Sequence, residues 1–185
     1  MSFFARFAQN RGALVGLIIL LLIIAMAILA PLLFPESPWR MVQRPFLPPL
    51  SQDGFPLGTD TMGRNVAAGL MHGAWVSLLI GLVSTSVALL IGVPLGAIAG
   101  YYGGWIDDVL MRITEFFQTI PNFALAIVLV AIMQPSVTSI VLAIALVSWP
   151  PVARLVRAEF MSLRHREYVE AARLVGQSNT TIILR

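Results

Sequence analysis

The stretch EYVEAARLVG, residues 167–176, gathers acidic, basic and small side chains at helical spacing. As a helix it places Tyr168, Ala172 and Val175 on one face, with Glu167, Glu170 and Arg173 over much of the rest. Arg166 with Glu170, and Glu170 with Arg173, stand at pairing distance. Ala171 and Ala172 add no bulk, so another protein's backbone can come close. This is chemistry for docking, and little else in the chain could do chemistry of another kind. There is no cysteine, which excludes a disulfide framework and Cys-based metal sites. All 12 basic residues are arginine, which excludes both a Schiff-base lysine and a phosphate loop that reaches its nucleotide with lysine. Ser84, Thr85 and Ser86 lie in an apolar tract with no histidine or lysine at membrane depth to activate them. His72 and His165 are isolated and fall on opposite sides of the membrane, without metal-ligand spacing to any acid. His165, in RHRE, reads as a solvated surface residue. Neither a catalytic centre nor a metal site is expected.

The elements that carry these residues are built for lipid. Of the 185 residues 58% are hydrophobic and 11% charged, against roughly a quarter charged in a soluble domain. The net charge of +3 does not indicate nucleic acid, because the arginines sit beside apolar spans and act as topology signals. No charge interrupts the chain between Arg11 and Glu36, long enough for the 20 or so apolar residues that cross a bilayer. A cleaved signal peptide would carry a shorter apolar region, so a retained anchor over 12–34 is expected, behind a tail over 1–11. Prolines from Pro35 to Pro56 deny a long helix to the next segment, which reads as an aqueous loop over 35–74, with room for a short helix from Asn65.

A second charge-free tract, 65–106, holds a span in which Ser84, Ala88, Gly92, Gly96 and Gly100 recur every four residues. That is a small-residue ridge for close packing on a neighbouring helix, with Pro94 expected to kink it. The third tract, 116–153, is divided by MQPSV at 133–137 into two helices with a tight outer turn. The first of these begins near Trp105, so that Asp108, Arg112 and Glu115 form a solvated helix start; Pro121 is a kink or a first-turn residue. The second leaves the membrane after Pro150-Pro151, near Arg154, Arg157 and Glu159.

Four spans put Arg6, Arg11, Arg112 and the six arginines from Arg154 onward on one side, against Arg40, Arg44 and Arg64 on the other. The excess places the N-terminus and residues 167–176 in the cytoplasm. A nine-residue helix from Glu167 rises about 13.5 Å and cannot cross. Gly176 stands where a left-handed residue stops such a helix, and Ser178 or Asn179 can cap its successor. A lipid-lying helix would show larger apolar anchors, so a partner groove is the expected destination.

EYVEAARLVG resembles the EAA signature, Glu-Ala-Ala with Gly four residues after the second Ala, of bacterial ABC importer permeases. FPLGTDTMGRNV (55–66) looks like the Leu-Gly-Thr-Asp…Gly-Arg-Asp element of the dipeptide/oligopeptide/nickel branch. Gly58, Thr59, Asp60, Gly63 and Arg64 match it, and Asn65 stands where the element has Asp. GAIAGYYGGWIDDVLMRITE (96–115) is similar to that branch's Gly-Tyr-Tyr-Gly-Gly…Asp…Met-Arg segment, and residues 6–33 resemble the extra first span of its second permease subunit. The matches keep the family's order along nearly the whole chain.

The resemblance implies an all-α polytopic membrane bundle of the type I ABC importer fold, with four spans present of about six. Its transmembrane domain would occupy 75–185 incompletely, with the coupling helix at 167–176. The EAA motif of the family continues beyond the point where this chain stops, so the chain is expected to be a fragment or truncated product. Tyr168, Glu170, Ala171, Ala172, Arg173 and Gly176 would couple to an ATPase. The implied partners are a homologous permease subunit, two ATPase subunits that bind ATP and Mg, an extracytoplasmic solute-binding protein and membrane lipid. The implied location is the bacterial inner membrane. The alternative is a truncated remnant or scaffold that inserts but does not transport.

Overall fold

The computed structural model describes residues 7–184; residues 1–6, which include Arg6 of the expected tail, and Arg185 lie outside the described residues. Every regular element described is an α-helix. The chain forms two compact units, Met1–Leu79 and Ile80–Arg185.

In the first unit, α1 (Arg11–Leu33) starts where Asn10 Oδ1 accepts the Ala13 amide at 3.1 Å. Its 23 residues span about 34 Å, enough for a hydrocarbon core of about 30 Å. Only Ala27 and Ala30 are buried. An apolar helix with its sides exposed is suited to lipid, where the backbone satisfies itself and the side chains face hydrocarbon. The loop beyond it is folded rather than loose. Gly58 and Gly63 hold φ of 72° and 76°, and a Cβ on either would collide with the carbonyl oxygen of Leu47 or Gln43.

The helix α2 (Val66–Tyr102) begins well before Trp75, where the span was expected. Asn65 sets the start: its Oδ1 accepts the amides of Ala67 at 3.0 Å and Ala68 at 3.4 Å, and nothing in VAAGLMHGA then breaks a helix. His72 Nε2 lies 2.9 Å from the Phe34 carbonyl, so one side chain ties the start of α2 to the end of α1.

In the second unit, the later part of α2 packs along α5 (Val137–Leu163), which is capped by the Ser136 hydroxyl on the Ser139 amide. Ser84 Oγ donates to the Val141 carbonyl at 3.3 Å. A Cβ on Gly92, Gly96 or Gly100 would meet the carbonyl oxygens of Trp149, Ala153 and Arg157 in turn. Each partner lies 57 positions along, so the two helices run parallel, backbone to backbone. Ala88 completes the ridge in a buried cluster with Trp149 and Ala153. The α5 helix continues through Pro150 and Pro151.

Between them stand α3 (Gly104–Thr119) and α4 (Asn122–Met133), bent by 78° to each other. A helix from near Trp105, with Pro121 as a kink or a first-turn residue, was expected; the chain breaks at Ile120, extended at φ −95° and ψ 130°, because the ring of Pro121 disfavours the helical conformation in the residue before it. At about 18 Å, α4 is too short to cross alone. Yet two parallel spans require the chain between them to return through the bilayer, and the bent pair is the segment that can do so. The described residues thus hold three helices long and apolar enough to span, or four spans if the bent pair counts as one. Antiparallel to α5, α3 is held at both ends: Asp107 meets Arg157, and the Phe117 ring lies edge-on to Trp149 at 5.3 Å. Two short helices, α6 (Glu167–Leu174) and α7 (Asn179–Leu184), complete the described chain.

Candidate docking helix and its anchors

The α6 helix carries Glu167 and Glu170 in its first turn and Arg173 in its last, the arrangement that complements the helix dipole. It ends in a full left-handed cap. The Gln177 amide reaches the Ala172 carbonyl at 3.1 Å, the Gly176 amide reaches Arg173 at 3.0 Å, and Gly176 sits at φ 82°. Ser178 then caps α7, accepting the Thr181 amide at 3.2 Å. The product is two helices across a sharp glycine bend.

The face grouped by spacing is divided in the fold. Val169 is buried and Ala172 half-buried, whereas Tyr168 and Val175 are 62% and 82% exposed. Arg173 does not pair with Glu170, nor does Arg166; among the described residues neither ion pair forms. The Arg173 guanidinium lies instead over the ring of Tyr101, 5.1 Å from its centroid. The Tyr101 hydroxyl donates to Asn179 Oδ1 at 2.9 Å, and Arg164 Nη1 donates to the Gly100 carbonyl at 3.3 Å. With its inner side anchored, α6 presents Tyr168, Glu170, Ala171, Leu174 and Val175 outward, and Leu174 is 89% exposed.

Close by, Arg157 grips Asp107 with two hydrogen bonds, Nε to Oδ1 at 2.5 Å and Nη2 to Oδ2 at 2.6 Å. The pair borders a polar cleft of about 510 Å³ with Asp108, Met111, Arg112, Glu115 and Arg154. Local spacing set Arg112 beside both Asp108 and Glu115; among the described residues it pairs with Glu115, at 3.9 Å on an exposed surface. Asp107 was missed because its partner is 50 residues away. A helical signal did exist: Asp107, Met111 and Thr114 share the face on which Asp107 and Thr114 are buried.

The outer-loop motif folds its own loop. Thr59 Oγ1 donates to the Arg44 carbonyl at 2.7 Å and accepts the Leu47 amide at 2.9 Å. Asp60 Oδ1 accepts the amides of Met62 and Arg64, and its Oδ2 accepts Arg64 Nε at 2.7 Å. The Arg64 backbone amide, then the Met62 amide and the Arg64 guanidinium, hold the Asp60 carboxyl below its ordinary value against a smaller opposing effect of desolvation. Arg64 also covers the Trp39 ring at 5.5 Å. Asn65 does what an Asp could not: while its oxygen caps α2, its Nδ2 donates to the Gly54 carbonyl at 2.9 Å. Gly58, Thr59, Asp60, Gly63 and Arg64 therefore all have structural partners within the loop.

Two family descriptions match the chain. Residues 92–185 match "Binding-protein-dependent transport system inner membrane component", and residues 2–49 match "N-terminal TM domain of oligopeptide transport permease C". The chain is 38% identical over 180 residues to the dipeptide transport system permease protein DppC of Haemophilus influenzae, covering 95% of this chain and 61% of that protein. It is 41% identical over 180 residues to the di/tripeptide transport system permease protein DppC of Pseudomonas aeruginosa, covering 95% and 59%. With the oligopeptide transport system permease protein OppC of Bacillus subtilis it shares 34% over 182 residues, covering 97% and 59%. The chain thus spans about three-fifths of the length of these relatives. The ridge from Gly92 onward, the bent pair and the short helix beyond α5 all fall within residues 92–185, and the chain belongs to the family of binding-protein-dependent transport system inner membrane components, with the type I ABC importer membrane fold.

Proposed function

We propose that the protein is a membrane-spanning permease subunit of an ATP-driven importer, lining a path for peptides or similar small solutes. In this reading α6 is the coupling helix, seated in a cleft of a separate ATPase. The observation that carries it is the two-sided character of α6: an inner face held by Val169, Ala172 and Arg173, and an outer face of Tyr168, Ala171, Leu174 and Val175 exposed among the described residues. Glu170 would supply polar contacts at that face, and Gly176 the bend that keeps the helix across the cleft. ATP and Mg would bind to the partner ATPase pair. A second, homologous permease and an extracytoplasmic solute-binding protein would complete the assembly in the inner membrane, with the N-terminus in the cytoplasm. The arginine bias and the names of the relatives support this arrangement.

The test is co-expression with the ATPase and permease subunits of the same genome and recovery on a tag. Leu174→Arg puts a charge in the docking face. Gly176→Val forces a β-branched residue to φ 82°, a strain of about 1–2 kcal/mol or more. Both are expected to insert normally and lose the copurified ATPase. Retention of the ATPase by both, at the level of the unsubstituted chain, would rule α6 out as its docking element.

A further inference from the structure

We infer that Tyr101 is the positioning residue through which α6 and α7 move α2; this rests on the coupling-helix reading above. Covalently, α6 is joined to α5 through residues 164–166, a turn closed by the Arg166 amide on the Leu163 carbonyl at 2.9 Å. Tyr101 adds a second hold from a different helix. It sits one residue before the end of α2 and is 7% exposed. Its ring takes the Arg173 guanidinium at 5.1 Å, and its hydroxyl donates to Asn179 Oδ1 at 2.9 Å. Those two partners stand on opposite arms of the Gly176 bend, Arg173 in the last turn of α6 and Asn179 at the first residue of α7. One side chain therefore spans the bend and holds its angle. Tyr101 also borders a cavity of about 260 Å³ with Phe160, Val169 and Ile182.

What Tyr101 receives, α2 can pass on. Gly100 precedes it, with no room for a Cβ between it and the Arg157 carbonyl, and the same Arg157 grips Asp107 on α3. A displacement of α6 and α7 thus reaches α2 at its cytoplasmic end, then α5 by backbone packing and α3 through the ion pair. Helices in such contact shift as one body, since packed interfaces do not deform continuously. Arg173, which the family resemblance assigned to the ATPase contact, lies over Tyr101 in this fold.

The test uses the full-length permease in its assembled transporter, reconstituted in liposomes, with uptake per ATP hydrolysed and retained ATPase as separate readouts. Tyr101→Phe and Asn179→Ala each remove the hydroxyl bond and keep the ring; Tyr101→Leu removes both attachments. Contacts of these kinds are each worth roughly a three- to tenfold factor in an equilibrium. Uptake per ATP should fall about threefold in the first two variants and about tenfold in the third, with the ATPase retained throughout. The double variant Tyr101→Phe with Asn179→Ala should be no worse than either single, because both lose the same bond. Uptake per ATP unchanged in Tyr101→Leu would overturn the inference. Parallel loss of uptake, bound ATPase and thermal stability would overturn it too, marking Tyr101 as a plain structural residue. If the unsubstituted permease retains no ATPase, the coupling-helix reading itself fails and this inference falls with it.

Discussion

Two acid–arginine pairs show how differently the same side chains behave. Asp60 and Arg64 lie four residues apart within one loop, and most of the hold on Asp60 comes from backbone amides. Because folding lowers the Asp60 pKa, its contribution is complete above the ordinary carboxyl value of 3.8 and is lost as pH falls through the lowered one. The loop should therefore keep its fold at pH 5 and loosen only below 3.8. Hydrogen exchange at the Met62 and Arg64 amides, corrected for intrinsic rates, would check this; loosening at pH 5–6 would contradict it. Asp107 and Arg157 are a different case, with 11% and 32% of their side chains exposed. Asp107→Ala strands the arginine and should cost about 2 kcal/mol, below the usual value for a broken buried pair because Arg157 keeps some solvent. Thermal unfolding in detergent measures the loss, and the swap Asp107→Arg with Arg157→Asp should recover part of it.

Among the elements, the parallel contact of α2 and α5 depends on absent side chains. Gly96 faces the Ala153 carbonyl, with Val156 Cβ at 2.9 Å from where its own Cβ would lie. Gly96→Leu should force the helices apart at about 1–3 kcal/mol, read as a lower unfolding temperature. Gly81, on the same helix, has nothing within 4 Å, so Gly81→Ala should be neutral or stabilising by up to about 1 kcal/mol. Equal effects at the two positions would mean that the ridge is not the packing surface. The four-residue recurrence was visible in the sequence because small residues stand out against an apolar background. Its partner was not, since α5 shows only Ala145, Trp149, Ala153 and Arg157 at that spacing, a mixture no composition rule selects. Likewise Pro121 signalled a disturbance without saying how large a bend it would cause.

For the whole molecule, the absence of cysteine makes orientation directly measurable. Ser51→Cys and Gln177→Cys fall at exposed positions, one in the loop before α2 and one in the bend after α6. An impermeant maleimide added to intact spheroplasts should label the first and spare the second; the reverse pattern would invert the arginine-based orientation. Hydropathy, charge bias and the glycine after residues 167–175 are sums or patterns over neighbouring residues. By itself the sequence therefore determined an all-helical membrane protein, its apolar tracts, and a short polar helix ended by Gly176. Which faces meet depends on groups far apart in the chain finding one another, a choice local patterns do not encode. Only the tertiary structure decided that α2 lies parallel to α5, that Asp107 and not Asp108 is gripped, that Val169 is the buried residue of α6, and that Arg173 turns inward onto Tyr101.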